Sequence, residues 1–180
     1  MKLFICVKEG FDAVCIHNTS SPDISFWSRI RKVERDCYED DDLNVAARFF
    51  RREVFLKLGG YNEKLIAGED YDLHNRLVKA GYKVGRASSR EVHIGEPRSL
   101  RDVVEKHYYY GKTIMSFVKC SGTKGLKQLS PIRPAYLRHA REVVKNPILL
   151  RGFLFYQFIR YQSALLGVLA SLIPSCRYSL

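Results

Sequence analysis

The order of hydrophobic and polar positions predicts short strands and amphipathic helices that alternate over the first half of the chain. Short runs rich in Val, Ile, Phe and Tyr are typical of strands, and they occur as "FDAVCI" (11–16), "VAARFF" (45–50), "YKVGRA" (82–87) and "REVHI" (90–94). Between them, apolar residues recur at three- and four-residue spacing, which predicts helices over 25–38, within "RREVFLKLGG" (51–60) and over 69–80. This alternation indicates an α/β layer that extends to about residue 97.

Beyond Pro97 the pattern predicts helices and no further strands. We expect a helix over 99–118, a flexible loop at "SGTKG" (121–125), a basic helix around "AYLRHAREVV" (135–144) and an apolar tract over 147–173. The chain therefore divides into an α/β part, 1–97, and a helical extension, 98–180.

Charge divides at the same place. Residues 1–97 contain 16 basic and 16 acidic residues, whereas residues 98–180 contain 14 basic residues against three acidic ones, so the whole net charge of +11 lies in the extension. Such asymmetry indicates a partner of opposite sign, such as phosphate, anionic lipid or nucleic acid, or else a solvated basic surface. The five cysteines are scattered without a C-x-x-C pair, which predicts reduced thiols in a cytosolic protein.

The most informative stretch is "GGYNEKLIAGEDYDLHNRLVKAGYKVG" (59–85). On a helix over 69–80, Leu73, Leu77 and Ala80 share one face, and Asp70 begins that face one turn earlier. An acidic first turn is favoured by the helix dipole, so a purely local role for Asp70 is open at this point. Asp72 is spaced to pair with Arg76.

The segment from 47 to 85 resembles the C-terminal half of the catalytic domain of a family-2 glycosyltransferase of the GT-A type. The shared features are an Arg-Arg before a short helix, a Gly-Gly-aromatic-Asn-Glu turn, and a Glu-Asp pair that leads into "DLHNRLVKAGY". The likeness continues through "VHIGEPRSLRDVVEKHYYYGK" and covers roughly residues 11–119. It implies a partial GT-A fold, in which a mixed sheet with helices precedes the basic, apolar helical extension.

The resemblance also implies a reaction, because the Asp of this pair is the catalytic base in such enzymes. Asp70 would deprotonate an acceptor hydroxyl, which attacks the anomeric carbon of a nucleotide-diphosphate sugar and inverts its configuration. Glu69 would orient the acceptor or a nearby loop. The acceptor would be a glycan or a polyprenyl phosphate.

Further roles follow from the resemblance, each beside a plainer alternative. His93 would bind the divalent cation, Mg²⁺ or Mn²⁺, or it is an ordinary histidine at a strand end. Substrate or phosphate binding is implied for Arg48, Arg51, Arg52 and Arg76, against a charged helix start or an ion pair with Asp72. Tyr108 and Lys112, spaced to share a helix face, would contact a sugar or a lipid phosphate, or the tyrosine packs in the core.

The part of the family domain that binds the nucleotide is not expected in this chain. Asp40–Asp42 follows a predicted helix instead of ending a strand, so we interpret it as a solvated acidic turn and not as the metal-binding D-x-D motif. A truncated gene, a separate chain that supplies the missing half, and a non-catalytic membrane-associated remnant are the alternatives. An unpaired sheet edge would favour a partner.

The apolar tract predicts attachment to a membrane surface. Its charge-free run, 161–173, is shorter than the ~20 residues that span a bilayer, and extending it to Gly152 places Arg160 near the middle, where charge is costly. An interfacial helix at the cytoplasmic face of the membrane is therefore expected, with insertion of the C-terminus or a buried helix as alternatives. The tract and the lack of a recognised motif argue against nucleic acid.

Overall fold

The fold is organised around a small mixed sheet. The computed structural model describes residues 10–39, 41–139 and 144–173. Its three strands are β1 (Ala13–Ser20), β2 (Ala47–Phe50) and β3 (Val84–His93), in the order β2-β1-β3. The central strand β1 is antiparallel to β2 and parallel to β3. The expected mixture of strands and helices is therefore confirmed.

The strand β3 is one element, where the sequence predicts two. Its ladder with β1 changes register once: Ile16 pairs with Ala87, and the next residue, His17, pairs with Arg90. Ser88 and Ser89 thus form an irregularity at the point where the pattern predicts a break. A bulge of this kind bends a strand without ending it, which explains why local sequence resembles two strands.

Three short helices follow the strands closely. These are α1 (Phe26–Asp36), α2 (Arg52–Lys57) and α3 (Glu69–Lys79). Ser25 caps α1 in a reciprocal pair with Ser28, and Gly68 precedes α3 with φ of 85°. On α3, Leu73 and Leu77 are fully buried as the pattern predicts, whereas Ala80 is exposed because the helix ends at that residue.

Within its described residues, the extension contains two long helices and a short one: α4 (Leu100–Leu129), α5 (Pro134–Arg138) and α6 (Pro147–Leu172). The predicted loop at 121–125 is wrong, because α4 continues through it with a kink at Gly122, where φ is 56°. Tertiary contacts hold the last turns in place: Gln128 is buried and donates a hydrogen bond to the carbonyl of Leu43 at 2.8 Å. Of the predicted helix at 135–144, residues 140–143 lie outside the described residues.

Three hydrophobic clusters of the described residues hold these elements together, and the smallest consists of Cys37, Tyr38 and Ala135. The first lies against the sheet and contains Ala13, Cys15, Ala47, Val54 and Leu77. The second joins α1 to the extension through Ile30, Val103, Phe153 and Tyr156. The helices α4 and α6 therefore pack directly on α1. Among the helices described, none is both long and apolar enough to cross a membrane.

Candidate active site

A cavity of about 650 Å³ lies where β1 and β3 end. Parallel strands present their carboxyl ends at one edge of a sheet, and ligands of open α/β sheets commonly bind there. The cavity is lined by β1, the start of β2, the start of α3, and faces of α1, α4 and α6. Of the residues named from the sequence, Arg48, Glu69, Asp70 and His93 line it.

Asp70 lies in the first turn of α3 and faces this cavity. One carboxylate oxygen, Oδ1, accepts a hydrogen bond of 2.8 Å from the backbone N–H of Tyr71. The other, Oδ2, lies 3.5 Å from a guanidinium nitrogen of Arg48, and a quarter of the side chain is exposed. The carboxylate is thus held in place but is not enclosed by a bidentate ion pair, so a hydroxyl group can approach it.

Gly68 sets the position of this turn. A Cβ at this residue would lie 2.6 Å from a ring carbon of Phe117 on α4, which is closer than packed atoms approach. With its positive φ, the position favours glycine for backbone conformation as well as for space. The start of α3 is therefore pressed against α4, and this contact places Asp70 at the wall of the cavity.

Glu69 and Arg48 flank Asp70. Burial raises the pKa of Glu69 above its ordinary value, and the charge of Asp70 acts in the same direction. Arg48 lies between two acids, since its Nε is also 3.8 Å from a carboxylate oxygen of Glu91. Guanidinium, carboxylate and a second carboxyl group thus converge on one wall.

The lining of the cavity is basic overall. Among the described lining residues there are three acids, Glu34, Glu69 and Asp70, and six cations, Arg31, Arg35, Arg48, Lys106, Arg133 and Arg160. Glu34 is almost fully buried and pairs with Arg31 and Arg160. Although burial would raise the pKa of Glu34, these guanidinium groups hold it well below its usual range. The remaining positive charge favours an anionic ligand.

Lys106 and Arg35 are two of the cations that line the cavity. Burial lowers the pKa of Lys106, and repulsion by Arg31 and Arg35 lowers it further. Arg35 contacts Asn18 and Glu96 through its terminal nitrogens, while its buried Nε has no hydrogen-bond partner within the described chain. A phosphate oxygen is the kind of acceptor that such groups bind.

His93 ends β3 at the cavity, but the residues around it do not make a complete metal site. Its Nδ1 lies 3.0 Å from Glu96, and burial lowers its pKa, which favours the neutral imidazole that binds metals. Glu96 is also occupied by Ser20 and Arg35. In the described ranges, no three His, Cys, Asp or Glu side chains are grouped closely enough to hold an ion. No step below therefore depends on a metal.

Three arginines named from the sequence lie away from the cavity lining. Arg51 follows the far end of β2, where its Nε donates to the carbonyl of Phe11 at 2.9 Å, and Arg52 is exposed at the start of α2. Arg76 pairs with Asp72 at 2.9 Å and donates to the carbonyl of Gly60 at 2.7 Å. For Arg76 the structural alternative, an ion pair with Asp72, is confirmed.

Tyr108 and Lys112 also lie outside the cavity lining. They share a helix face as the spacing predicts, with the ammonium group 4.8 Å from the ring centroid. A helix turns by ~100° per residue, so their neighbours on α4 face the cavity instead, namely Lys106, His107, Tyr110 and Gly111.

The chief residues that the sequence did not indicate are Arg31 and Arg35 on α1, Lys106 on α4 and Arg160 on α6. The only local signal is that Arg31 and Arg35 are four residues apart, on one face of α1. Their convergence with Lys106 and Arg160 depends on how three helices pack.

Comparisons with known proteins find a likeness to glycosyltransferases in the central part of the chain. Residues 46–101 match a family model described as the N-terminal domain of galactosyltransferase. That segment includes Arg48, Glu69, Asp70 and His93. The central part of the chain is glycosyltransferase-like.

A distant relative among characterised proteins also matches part of the chain. The succinoglycan biosynthesis protein ExoA of Rhizobium meliloti (strain 1021) is 30% identical over 86 residues, which are 47% of this chain and 26% of that protein. The chain thus matches only about a quarter of the length of this relative. No solved structure matches the chain. The assignment to family 2 and to the C-terminal half of a catalytic domain stays a prediction.

Proposed function

We propose that this chain carries the acceptor side of an inverting glycosyltransferase, with Asp70 as the general base. The observation that supports this most is the placement of Asp70: a carboxylate in the first turn of a helix, at the wall of the cavity, with one oxygen not engaged in a close hydrogen bond. A base must lie within hydrogen-bond reach of the proton that it removes.

The reaction proceeds by a single displacement. The acceptor O–H gives its proton to Asp70 as its oxygen attacks the anomeric carbon of the donor. A new glycosidic bond forms, the bond from that carbon to the nucleoside diphosphate breaks, and the configuration at the carbon inverts. Arg48 orients the carboxylate of Asp70, and Glu69 binds an acceptor hydroxyl beside it.

The basic side chains that line the cavity would bind the phosphates of the donor or of another phosphorylated group. Arg31, Arg35 and Lys106 present more positive charge than their acidic neighbours neutralise, in a cavity partly shielded from water. Charge-assisted hydrogen bonds from guanidinium to phosphate are strong under such conditions. The leaving diphosphate acquires negative charge during transfer, which a fixed positive wall would stabilise.

The test is release of nucleoside diphosphate by the full chain from a panel of uridine- and guanosine-diphosphate sugars, with a membrane lipid extract as acceptor. Asp70→Asn keeps the shape of the side chain but cannot accept the proton, so we expect acceptor-dependent release to fall by about 10²-fold or more. Glu63→Gln, which changes an exposed acid before α3, is the matched control and should leave the rate unchanged.

Circular dichroism of each variant separates loss of chemistry from loss of fold. An unchanged rate in Asp70→Asn would overturn the assignment of the base. Absence of release by the unmodified chain from every donor would overturn catalysis by this chain and favour a non-catalytic role.

A further inference from the structure

The helix α6 presents a row of large apolar side chains to solvent. Its buried residues are Gly152, Phe153, Tyr156, Ser163 and Gly167. Its outward side, here termed the apolar face of α6, consists of Leu154, Phe155, Phe158, Leu165, Leu166 and Leu169, which are 47–60% exposed.

The apolar face of α6 is too extensive to be incidental. At a rise of 1.5 Å per residue, the distance from Leu154 to Leu169 is about 22 Å, and six large side chains are exposed along it. Single exposed leucines are ordinary on soluble proteins, but a contiguous apolar patch marks a surface that binds something.

The inward side of α6 is fixed to the rest of the protein. Arg160 pairs with the buried Glu34 of α1, and the backbones of α6 and α4 approach closely at Gly111 and Gly167. One side of α6 therefore packs against the protein, so a lipid layer could contact only the other side. That geometry matches a helix that lies along a surface.

Charge indicates the chemistry of that surface. The sequence from 143 to 173 contains no acidic residue, and its basic residues are Lys145, Arg151 and Arg160. Arg151 is exposed and precedes Leu154 on α6 by one turn. An apolar face beside cations, without acids to repel phosphate, is complementary to an anionic lipid headgroup layer.

An aromatic pair borders the same face. Trp27 on α1 lies 6.3 Å from the ring of Phe155, and the adjacent Phe26 is 40% exposed. Tryptophan is enriched at the interface between lipid and water, because its ring is apolar and its N–H is polar. The border therefore has the composition of an interfacial anchor.

We propose that the apolar face of α6 docks this protein onto an anionic lipid surface, with α6 parallel to that surface. Leu165 belongs both to this face and to the lining of the cavity, so docking brings the cavity to the lipid headgroups. The proposal does not depend on catalysis by Asp70.

The experiment is co-sedimentation of the full chain with vesicles of phosphatidylcholine, with and without phosphatidylglycerol. The double substitution Phe158→Ser/Leu166→Ser removes two large apolar groups from the face, and we expect at least tenfold weaker binding, because a fully buried side chain of this size contributes about 1.5–3 kcal/mol. The control is Leu56→Ser, which removes a leucine that is 58% exposed on α2, and it should bind as the unmodified chain does.

Two further measurements sharpen the test. Arg151→Gln should weaken binding about fivefold on vesicles with phosphatidylglycerol, as expected for loss of about 1 kcal/mol per basic residue, and have little effect without it. Because Trp27 is the single tryptophan, quenching of its fluorescence by brominated lipid reports whether this border meets the membrane.

Equal binding by the double variant and the unmodified chain, or equal loss in Leu56→Ser, would overturn the proposal. So would a dimer of the unmodified chain that the double variant dissociates and that does not bind vesicles, since the face would then contact a second copy. Circular dichroism of the double variant guards against simple unfolding.

Discussion

Glu34 of α1 and Arg160 of α6 form a buried ion pair across 126 residues of sequence. The side chain of Glu34 is 1% exposed, and it also accepts hydrogen bonds from the hydroxyl groups of Tyr38 and Tyr136. From sequence alone, Arg160 is an unexplained charge in an apolar tract. In the structure it attaches that tract to the α/β part.

Loss of one partner from this pair should destabilise the fold strongly. Arg160→Met removes a positive charge from a buried carboxylate, and we expect a loss of about 3 kcal/mol in the free energy of unfolding, measured by urea denaturation. The control is Arg101→Met, because Arg101 pairs with Glu105 while 84% exposed, and ion pairs exposed to solvent contribute little to stability.

A second substitution distinguishes charge from packing. Glu34→Gln combined with Arg160→Met removes both charges, so the double variant should be more stable than Arg160→Met alone. A urea midpoint of Arg160→Met equal to that of the unmodified chain would show that the pair contributes nothing.

The contact between α4 and α6 should reverse the usual effect of replacing a helical glycine. On a free helix, Gly→Ala stabilises by up to about 1 kcal/mol. At Gly111, however, a Cβ would lie 2.1 Å from the carbonyl oxygen of Ala164, so the helices must move apart. We expect Gly111→Ala to lower the free energy of unfolding by about 1–3 kcal/mol.

The neighbouring exposed position supplies the control for this test. Lys112→Ala changes the next residue of α4, outside the contact, and should shift the urea midpoint little. Stabilisation by Gly111→Ala would mean that the two backbones are not in close contact.

His74 should make stability depend on pH. Burial lowers its pKa from 6.5 to about 4, with repulsion by Lys124 acting in the same direction, and its neutral Nδ1 accepts a hydrogen bond from the backbone N–H of Ala47 at 3.3 Å. The unfolded chain thus binds a proton between pH 6.5 and 4 that the folded chain excludes. Stability contributed by neutral His74 is complete above pH 6.5 and falls as pH decreases towards 4, by about 3 kcal/mol at most.

The measurement is urea denaturation at pH 7.5 and pH 5 for the unmodified chain and for His74→Asn, whose amide oxygen can accept the same hydrogen bond without titrating. We expect the difference between the two pH values to shrink in the variant. It should not vanish, because burial lowers the pKa of His107 to about 2 and adds a dependence of the same sign. An identical pH dependence in both proteins would contradict the role of His74.

The pattern of hydrophobic and polar residues was sufficient to predict those elements that depend mainly on neighbouring residues in the sequence. The apolar spacing predicts α1 and α3 as the structure has them, since helix periodicity is set within a few residues. The buried run 11–16 predicts the first half of β1, which continues to Ser20. The prediction of a solvated acidic turn holds for Asp42, whose side chain is 97% exposed, but not for Asp41, whose side chain is 13% exposed and pairs with Arg138 on α5. Asp40 lies outside the described residues.

Tertiary structure decided which of the candidate residues share a cavity. The sequence by itself determined that Asp70 begins a helix after a glycine, and that the basic excess lies after residue 97. Only packing brought Arg48, Asp70 and His93 to one wall, turned Lys112 away from it, and placed Arg160 against Glu34. These relationships join residues far apart in the chain, and their geometry depends on how whole helices and strands pack, which local periodicity does not specify.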